Sequence, residues 1–379
     1  MGELEKNGTP AVGIFTKAFE RDARASCKAI GVPFLSLALV PTILTNEPPE
    51  TIRGYGEAIY SKVVEAFTKV PTGPGATSTQ EAEEQESLTF HGDDLLDAAE
   101  AMNRTLVEYN WSDGFPLVPP TGSRVDRMLA GTQKPRDQIV AVLEPGFGLA
   151  TVEKIAINAV MAGCQPGHLP VLIAAVEAMA DPYYRLRAVS CSTGPHAPLL
   201  VINGPVAKEL KVNSGLCCFG PGGPSYANTV IGRAVRLIMM NIGHARPTES
   251  DMDTHGMPHK YSACIAEAEG NSPWIPLHVS RGYNQDTSTV TVFVARYMLD
   301  INDAGNYTPE HILRRIAIGM SNGASVFTGH WLAEPRIYRR TALRDRDSHK
   351  MYDAHCLVII GSAPRQGPGP LQLDQGRGE

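Results

Sequence analysis

The chain has 379 residues, of which 43% are hydrophobic and 20% charged, with 36 glycines and 29 prolines. That length exceeds what one core usually serves, and the density of Gly and Pro excludes a plain helical bundle, so two domains of α/β type are expected. A formal charge of −6 without a basic, aromatic-interleaved stripe excludes nucleic acid as a partner, and no run approaches the roughly 18 apolar residues of a membrane helix.

The opening MGELEKNGTP has neither the basic region nor the apolar stretch of a secretory signal, and Lys6 spoils a myristoylation pattern, so a cytoplasmic location is expected. Seven cysteines, an odd number, read as thiols rather than as a disulfide framework.

Residues 1–70 read as a small α/β unit. Ala11–Phe15 is a short apolar strand, Glu20–Ile30 a helix stopped by Gly31, and Phe34–Val40 a second strand apolar enough to be covered on both faces. Pro48 and Pro49 open a helix over Glu50–Phe67, with Ile52, Ile59, Val63, Val64 and Phe67 as its buried side. Two strands make an incomplete sheet, so this unit needs a second domain or another chain to cover it. Residues 71–92, rich in Pro, Gly, Thr and Glu, read as a linker.

The main α/β domain spans 93–366 and begins with a helix over Asp93–Tyr109. A proline turn and a short helix capped by Thr121 or Ser123 follow, then a strand over Ile139–Leu143. Thr151–Met161 is a helix stopped by Gly163, and Leu169–Met179 is a helix apolar nearly all round, which implies central burial. Leu199–Ile202 is a strand, Asn228–Ile242 a helix with Arg233 and Arg236 opposite its apolar face, and Thr289–Val294 a strand. Pro309–Met320 is a helix capped by Thr308, His355–Ile360 a last strand, and 367–379 a polar tail.

Glycine and proline loops cluster where these strands end, which is where α/β proteins bind ligands. In one of them Cys217 and Cys218 precede Gly220, Pro221, Gly222 and Gly223. Adjacent cysteines are not a CxxC redox pair, so three readings stay open: buried hydrophobes in a turn, a catalytic thiol, or a glycine turn at Gly222 and Gly223 that offers N–H groups to an anion. His255 and His259 are four apart, but Gly256 and Pro258 argue against a helix. They fit proton transfer to an organic substrate, a structural loop, or a metal site completed by Glu267; Asp251, Asp253 and Glu269 lie close in sequence.

His196, held in a turn before the strand at Leu199, is an acid–base candidate, with Cys191 five residues earlier. Lys154 and Asn158 share a helical face, and Lys154 must pair, snorkel or serve a cleft. Glu153, Asn158, Asn228 and Trp274 complete the expected substrate contacts, while Trp111 and Trp331 read as core. No dinucleotide fingerprint, phosphate loop or nucleophile elbow is present, so no nucleotide cofactor is expected.

The stretch TKAFERDARASCKAIGVPFLSLALVP, followed by EPPETIRGYGEAIYSKVVEAFT, resembles the C-terminal half of UGSC-type proteins, a family named for a selenocysteine-or-cysteine, Gly, Ser, Cys motif. NWSDGFPLVPPT, ATVEKIAINAVMAGCQPGHLPV, VNSG, NTVIGR, MPHKY and AEGNSPW are similar to an uncharacterised bacterial domain associated with that family. The resemblance implies thiol or selenol chemistry. The motif itself is missing, and Cys27 cannot stand in for it.

These observations together set the functional expectation. It is an enzyme subunit, a lyase or oxidoreductase, that makes or breaks a carbon–heteroatom bond, such as carbon–sulfur, in a small polar organic substrate. Cys217, Cys218, His196, His255, His259 and Lys154 are its catalytic candidates. A second small subunit carrying the Cys-Gly-Ser-Cys type motif is the expected partner, within an oligomer. A metal-dependent hydratase or hydrolase and a non-catalytic structural subunit are the alternatives.

Overall fold

A computed structural model describes residues 4, 9–20, 23–24, 27, 32, 35–41, 47–68, 87–296, 298–301 and 308–324. The chain divides into two compact units, 1–296 and 297–379. It has the expected α/β character, with helices around small sheets. No helix among the described residues is long and apolar enough to cross a membrane.

In the first unit β1 (Val12–Thr16) and β2 (Ser36–Val40) form a parallel pair in the register Val12↔Ser36 to Thr16↔Val40. They enclose a small core of Ala11, Ala23, Cys27, Val32, Leu35 and Leu37, with Phe15 and Leu39 against it. Helix α1 (Pro49–Thr68) follows, but none of its residues is fully buried. Ile59 and Val63 are half-buried, whereas Ile52, Val64 and Phe67, expected on the buried side, are exposed. A twenty-residue helix is about 30 Å long and two strands span only about 10 Å, so the sheet cannot cover it.

Helix α2 (Leu95–Glu108) starts where the Asp94 carboxylate accepts bonds from the N–H groups of Leu96 and Asp97, and buries Met102 and Leu106. Thr121 sits at the N-terminus of α3 (Gly122–Leu129) without a side-chain cap. Strands β3 (Ile139–Leu143) and β4 (Gly148–Thr151) form an antiparallel hairpin. Helix α4 (Val152–Ala162) is capped by the Thr151 hydroxyl and ends at Gly163, whose φ of 89° is the left-handed conformation glycine adopts freely. Helix α5 (Leu169–Ala180) buries residues on most of its circumference, as its apolar sequence requires.

A short helix, α6 (Leu186–Ser190), leads to β5 (Ala197–Asn203), in which every residue is buried. It is the central strand of a sheet ordered β6-β5-β7, since the short helix α7 (Pro205–Glu209) and the long α8 (Tyr226–Asn241) carry the chain back to β6 (Cys264–Ala266). β6 is parallel to β5, with Leu200↔Cys264 to Ile202↔Ala266. After α9 (Leu277–Ser280), β7 (Thr289–Ala295) returns antiparallel, pairing Ala197↔Ala295 to Asn203↔Thr289. Helices α4, α5 and α8 pack together, and their apolar faces join the sheet in one core. The parallel β5–β6 pair thus presents its carboxyl ends on one side and its amino ends on the other, the first being the usual ligand side.

Of the second unit, the described part is 298–301 and α10 (Pro309–Ala324), where Pro309 occupies the first turn and Thr308 Oγ1 accepts from His311 N at 3.4 Å. The expected strand at His355–Ile360, the tail, Trp331 and most of the Glu20–Ile30 helix lie outside the described residues.

Candidate functional site

At the carboxyl edge, β5 ends in Asn203, a fully buried side chain at the end of an apolar strand. Its Nδ2 donates to Glu267 Oε2 at 2.6 Å and to Glu269 Oε1 at 2.9 Å, which draws together two carboxylates from the segment leaving β6. The N–H of Leu277 donates to the same Glu267 oxygen, and that of Gly204 to the same Glu269 oxygen. Gly204 has φ 80°, and a Cβ there would lie 2.5 Å from the Thr287 carbonyl, so only glycine permits this approach.

His278, 1% exposed, stands behind the carboxylates. The Gln285 carbonyl, 3.2 Å from Nε2, fixes the proton on that nitrogen and leaves Nδ1 facing Glu269 Oε1 at 3.9 Å. Asn203 Oδ1 and His278 Nδ1 are buried and have no hydrogen-bond partner among the described residues. The carboxylates open onto a pocket of ≈ 350 Å³, which Lys208, Lys211 and Asn213 also line.

The amino edge of the same sheet is also rich in charge, but there the charges are paired. Lys260 Nζ lies 2.8 Å from Asp251 Oδ2 and 2.9 Å from Asp253 Oδ2, and Arg236 Nη2 lies 3.0 Å from Asp251 Oδ2. Burial alone would raise the Asp253 carboxyl, but Lys260 and the N–H groups of His255 and Gly256 outweigh it and hold it below its ordinary value. His259, 6% exposed, donates from Nε2 to the Pro195 carbonyl at 2.8 Å. Burial, and then the nearby Arg296 charge, push His196 down; burial likewise lowers His259.

His196 and His259 thus share one edge, while His255 is exposed on the loop that leads to His259. Glu267 lies beyond the opposite end of β6 from His259, so the expected metal trio does not assemble. Among the described residues, no group of three or more His, Cys, Asp or Glu is arranged to hold a metal.

The two cysteines lie away from the histidines, on the loop that carries the pocket residues Asn213, Ser214 and Pro224. The Cys217 carbonyl accepts from Ser225 Oγ at 2.5 Å and from Gly220 N at 2.7 Å, which fixes the turn. Cys217 is exposed and Cys218 half-buried, and burial pushes the Cys218 thiol up. Burial also raises Cys164 and Cys264. Gly222 and Gly223 are exposed, with Gly222 in the left-handed region.

Asn228 holds this loop to the sheet. Its Oδ1 accepts from Asn213 N, and its Nδ2 donates to the Asn213 and Cys264 carbonyls. Asn158 is equally committed: it donates to the Lys154 carbonyl and accepts from Asn241 Nδ2 at 2.9 Å. Glu153 pairs with Arg136, Lys154 is exposed, and Trp274 is 65% exposed and outside the pocket lining.

Asn203, Lys208, Lys211 and His278 were not among the sequence candidates. A polar residue ending an all-apolar strand immediately before Gly-Pro was the signal available for Asn203. Nothing local marks His278, which becomes relevant only through the meeting of its segment with Glu269.

The UGSC family model matches residues 3–69, the segment of β1, β2 and α1. Over that segment the chain is similar to the UGSC family, in line with the resemblance. No curated protein and no solved structure gives a significant match to the chain.

Proposed function

We propose that the chain is an enzyme, of lyase type and cytoplasmic, that makes or breaks a carbon–heteroatom bond in a small polar substrate held at the carboxyl edge of β5 and β6. The observation that carries this reading is the pair Glu267 and Glu269, both gripped by buried Asn203 and both opening onto the pocket. Acid–base chemistry needs a proton acceptor fixed in place but with an oxygen left for the substrate. Each of these carboxylates receives its described bonds on one oxygen only.

Glu269 takes the substrate proton, its carboxylate held in place by the Asn203 amide and the Gly204 N–H. The same carboxyl group then returns that proton to the leaving group, which Glu267 orients. The thiols are less suited to lead: a nucleophilic cysteine needs its thiolate, and burial works against that form at Cys218.

The test is the full chain in D2O with a panel of small amino, hydroxy and keto acids, followed by NMR for deuterium incorporation and product. Glu269→Gln is expected to slow exchange by roughly 100-fold or more, the usual scale of general-base catalysis. Exchange that survives Glu269→Gln unchanged, or is lost instead in Cys218→Ser, contradicts the assignment.

We also propose that the expected motif-bearing small subunit pairs with the N-terminal unit. Its support is that β1 and β2, among the described residues, pair only with each other. Native mass spectrometry of the protein from its own host is expected to show a second chain with the Cys-Gly-Ser-Cys type motif, and a complex of this chain alone contradicts it.

A further inference from the structure

The pocket at the carboxyl edge holds charges of both signs that do not neutralise each other. Lys208, on α7, and Lys211, which follows it with φ 55°, line the same cavity as Glu267 and Glu269. Among the described residues neither ammonium makes an ion pair or side-chain hydrogen bond, although four charges face one cavity of ≈ 350 Å³. The lysines contrast with Lys260 at the other edge, which is saturated by two aspartates.

A ligand with one negative charge would gain the lysines but meet the carboxylates, and one with a single positive charge would meet the reverse. A molecule bearing both charges on a short frame satisfies both sets. The cavity of ≈ 350 Å³ is near the lower end of the range for small-molecule sites, which suits a small ligand. Ser214 and Asn271 also line it, and their side chains have no hydrogen-bond partner among the described residues, so they can read a polar substituent.

From this pairing of unneutralised charges of both signs in one cavity we infer that the ligand is a small amino-acid-type zwitterion. Its ammonium lies against the Glu267 oxygen that carries no described bond, which leaves that of Glu269 for the proton, and its carboxylate lies against Lys208 and Lys211. The inference rests on the pocket being the substrate site proposed above. Its two halves are separable, because the lysines serve binding whatever the glutamates do in catalysis.

Calorimetric titration of the full chain with a panel of free L-amino acids, together with the N-acetyl and methyl ester form of each, tests it. At least one free amino acid is expected to bind, and masking either charge to weaken binding by about ten-fold or more, the scale of one charge-assisted hydrogen bond. Lys208→Met with Lys211→Met is expected to weaken the free amino acid but leave its ester unaffected. Both lysines are exposed, so this variant tests the idea even if Glu267→Gln with Glu269→Gln does not fold. Binding of esters or N-acetyl forms as tight as the parent, no binding across the panel, or indifference to the lysine pair overturns the inference. Zwitterion binding without deuterium exchange or turnover supports the ligand class and sinks the acid–base reading, whereas turnover of singly charged compounds does the opposite.

Discussion

The two edges of the β6-β5-β7 sheet carry nearly the same residue types and use them in opposite ways. At the amino edge Lys260 bridges Asp251 and Asp253, Arg236 joins them, and His259 is tied to a backbone carbonyl. At the carboxyl edge Glu267 and Glu269 are fixed through one oxygen each, Lys208 and Lys211 are unpaired among the described residues, and all four line one pocket. The lesson is that the number of polar residues does not mark a site. What marks it is bonding capacity left over beside space for a ligand.

The largest effect that sharpens this contrast is catalytic. Glu269→Gln keeps the shape of the side chain and is expected to cut turnover by roughly 100-fold or more, with little change in the unfolding midpoint. An activity near that of the parent would erase the distinction between the edges.

Next comes stability at the amino edge. Lys260→Met leaves two nearly buried aspartates without their shared cation, and removal of one partner from a buried ion pair costs about 3 kcal/mol. Urea unfolding is expected to show that loss, with turnover per folded molecule unchanged. A variant as stable as the parent would mean that the network is only decoration.

The pH dependence is smaller. His168, His196 and His259 all titrate below their ordinary value of 6.5 because burial disfavours the charged ring. The unfolded chain therefore takes up their protons first, so this stability is complete above about 6.5 and is lost as pH falls through the lowered values. Thermal midpoints are expected to drop between about pH 7.5 and 5.5, less steeply in His259→Gln. A midpoint that rises on acidification would contradict the burial of these rings.

The smallest effect is expected at the cysteines. Cys217→Ser and Cys218→Ser should change turnover by less than about three-fold, since burial keeps Cys218 in its unreactive thiol form. A loss on the scale of Glu269→Gln would return the chemistry to the thiols.

Much of the fold was legible because its strands and helices bury one type of residue over several positions. Leu199–Ile202 and most of Leu169–Met179 are apolar in sequence and buried in fact. The three-residue β6 was not legible, because so short a strand is defined by pairing with β5 rather than by its own pattern. The exposure of Ile52, Val64 and Phe67 was missed because helical spacing says which residues share a face, not whether anything covers it.

The site was legible only in outline. Loops at strand ends pointed to the kind of place where the proposed pocket lies, yet His196, His255 and His259 drew attention to the amino edge because histidine is conspicuous in sequence. Glu267 was noticed as a metal ligand, whereas its meeting with Glu269 over Asn203 depends on parallel pairing across more than sixty residues. Asn158 and Asn228 looked available until their amides were seen to be spent on neighbouring backbone and side-chain groups.

The most direct test of the central claim is one crossed measurement, turnover and unfolding free energy determined on the same preparations of Glu269→Gln and Lys260→Met. The account predicts that Glu269→Gln loses turnover at near-parent stability, while Lys260→Met loses stability at near-parent turnover per folded molecule. The reverse pattern, or both losses together in either variant, would contradict the division of the sheet into a functional edge and a structural one.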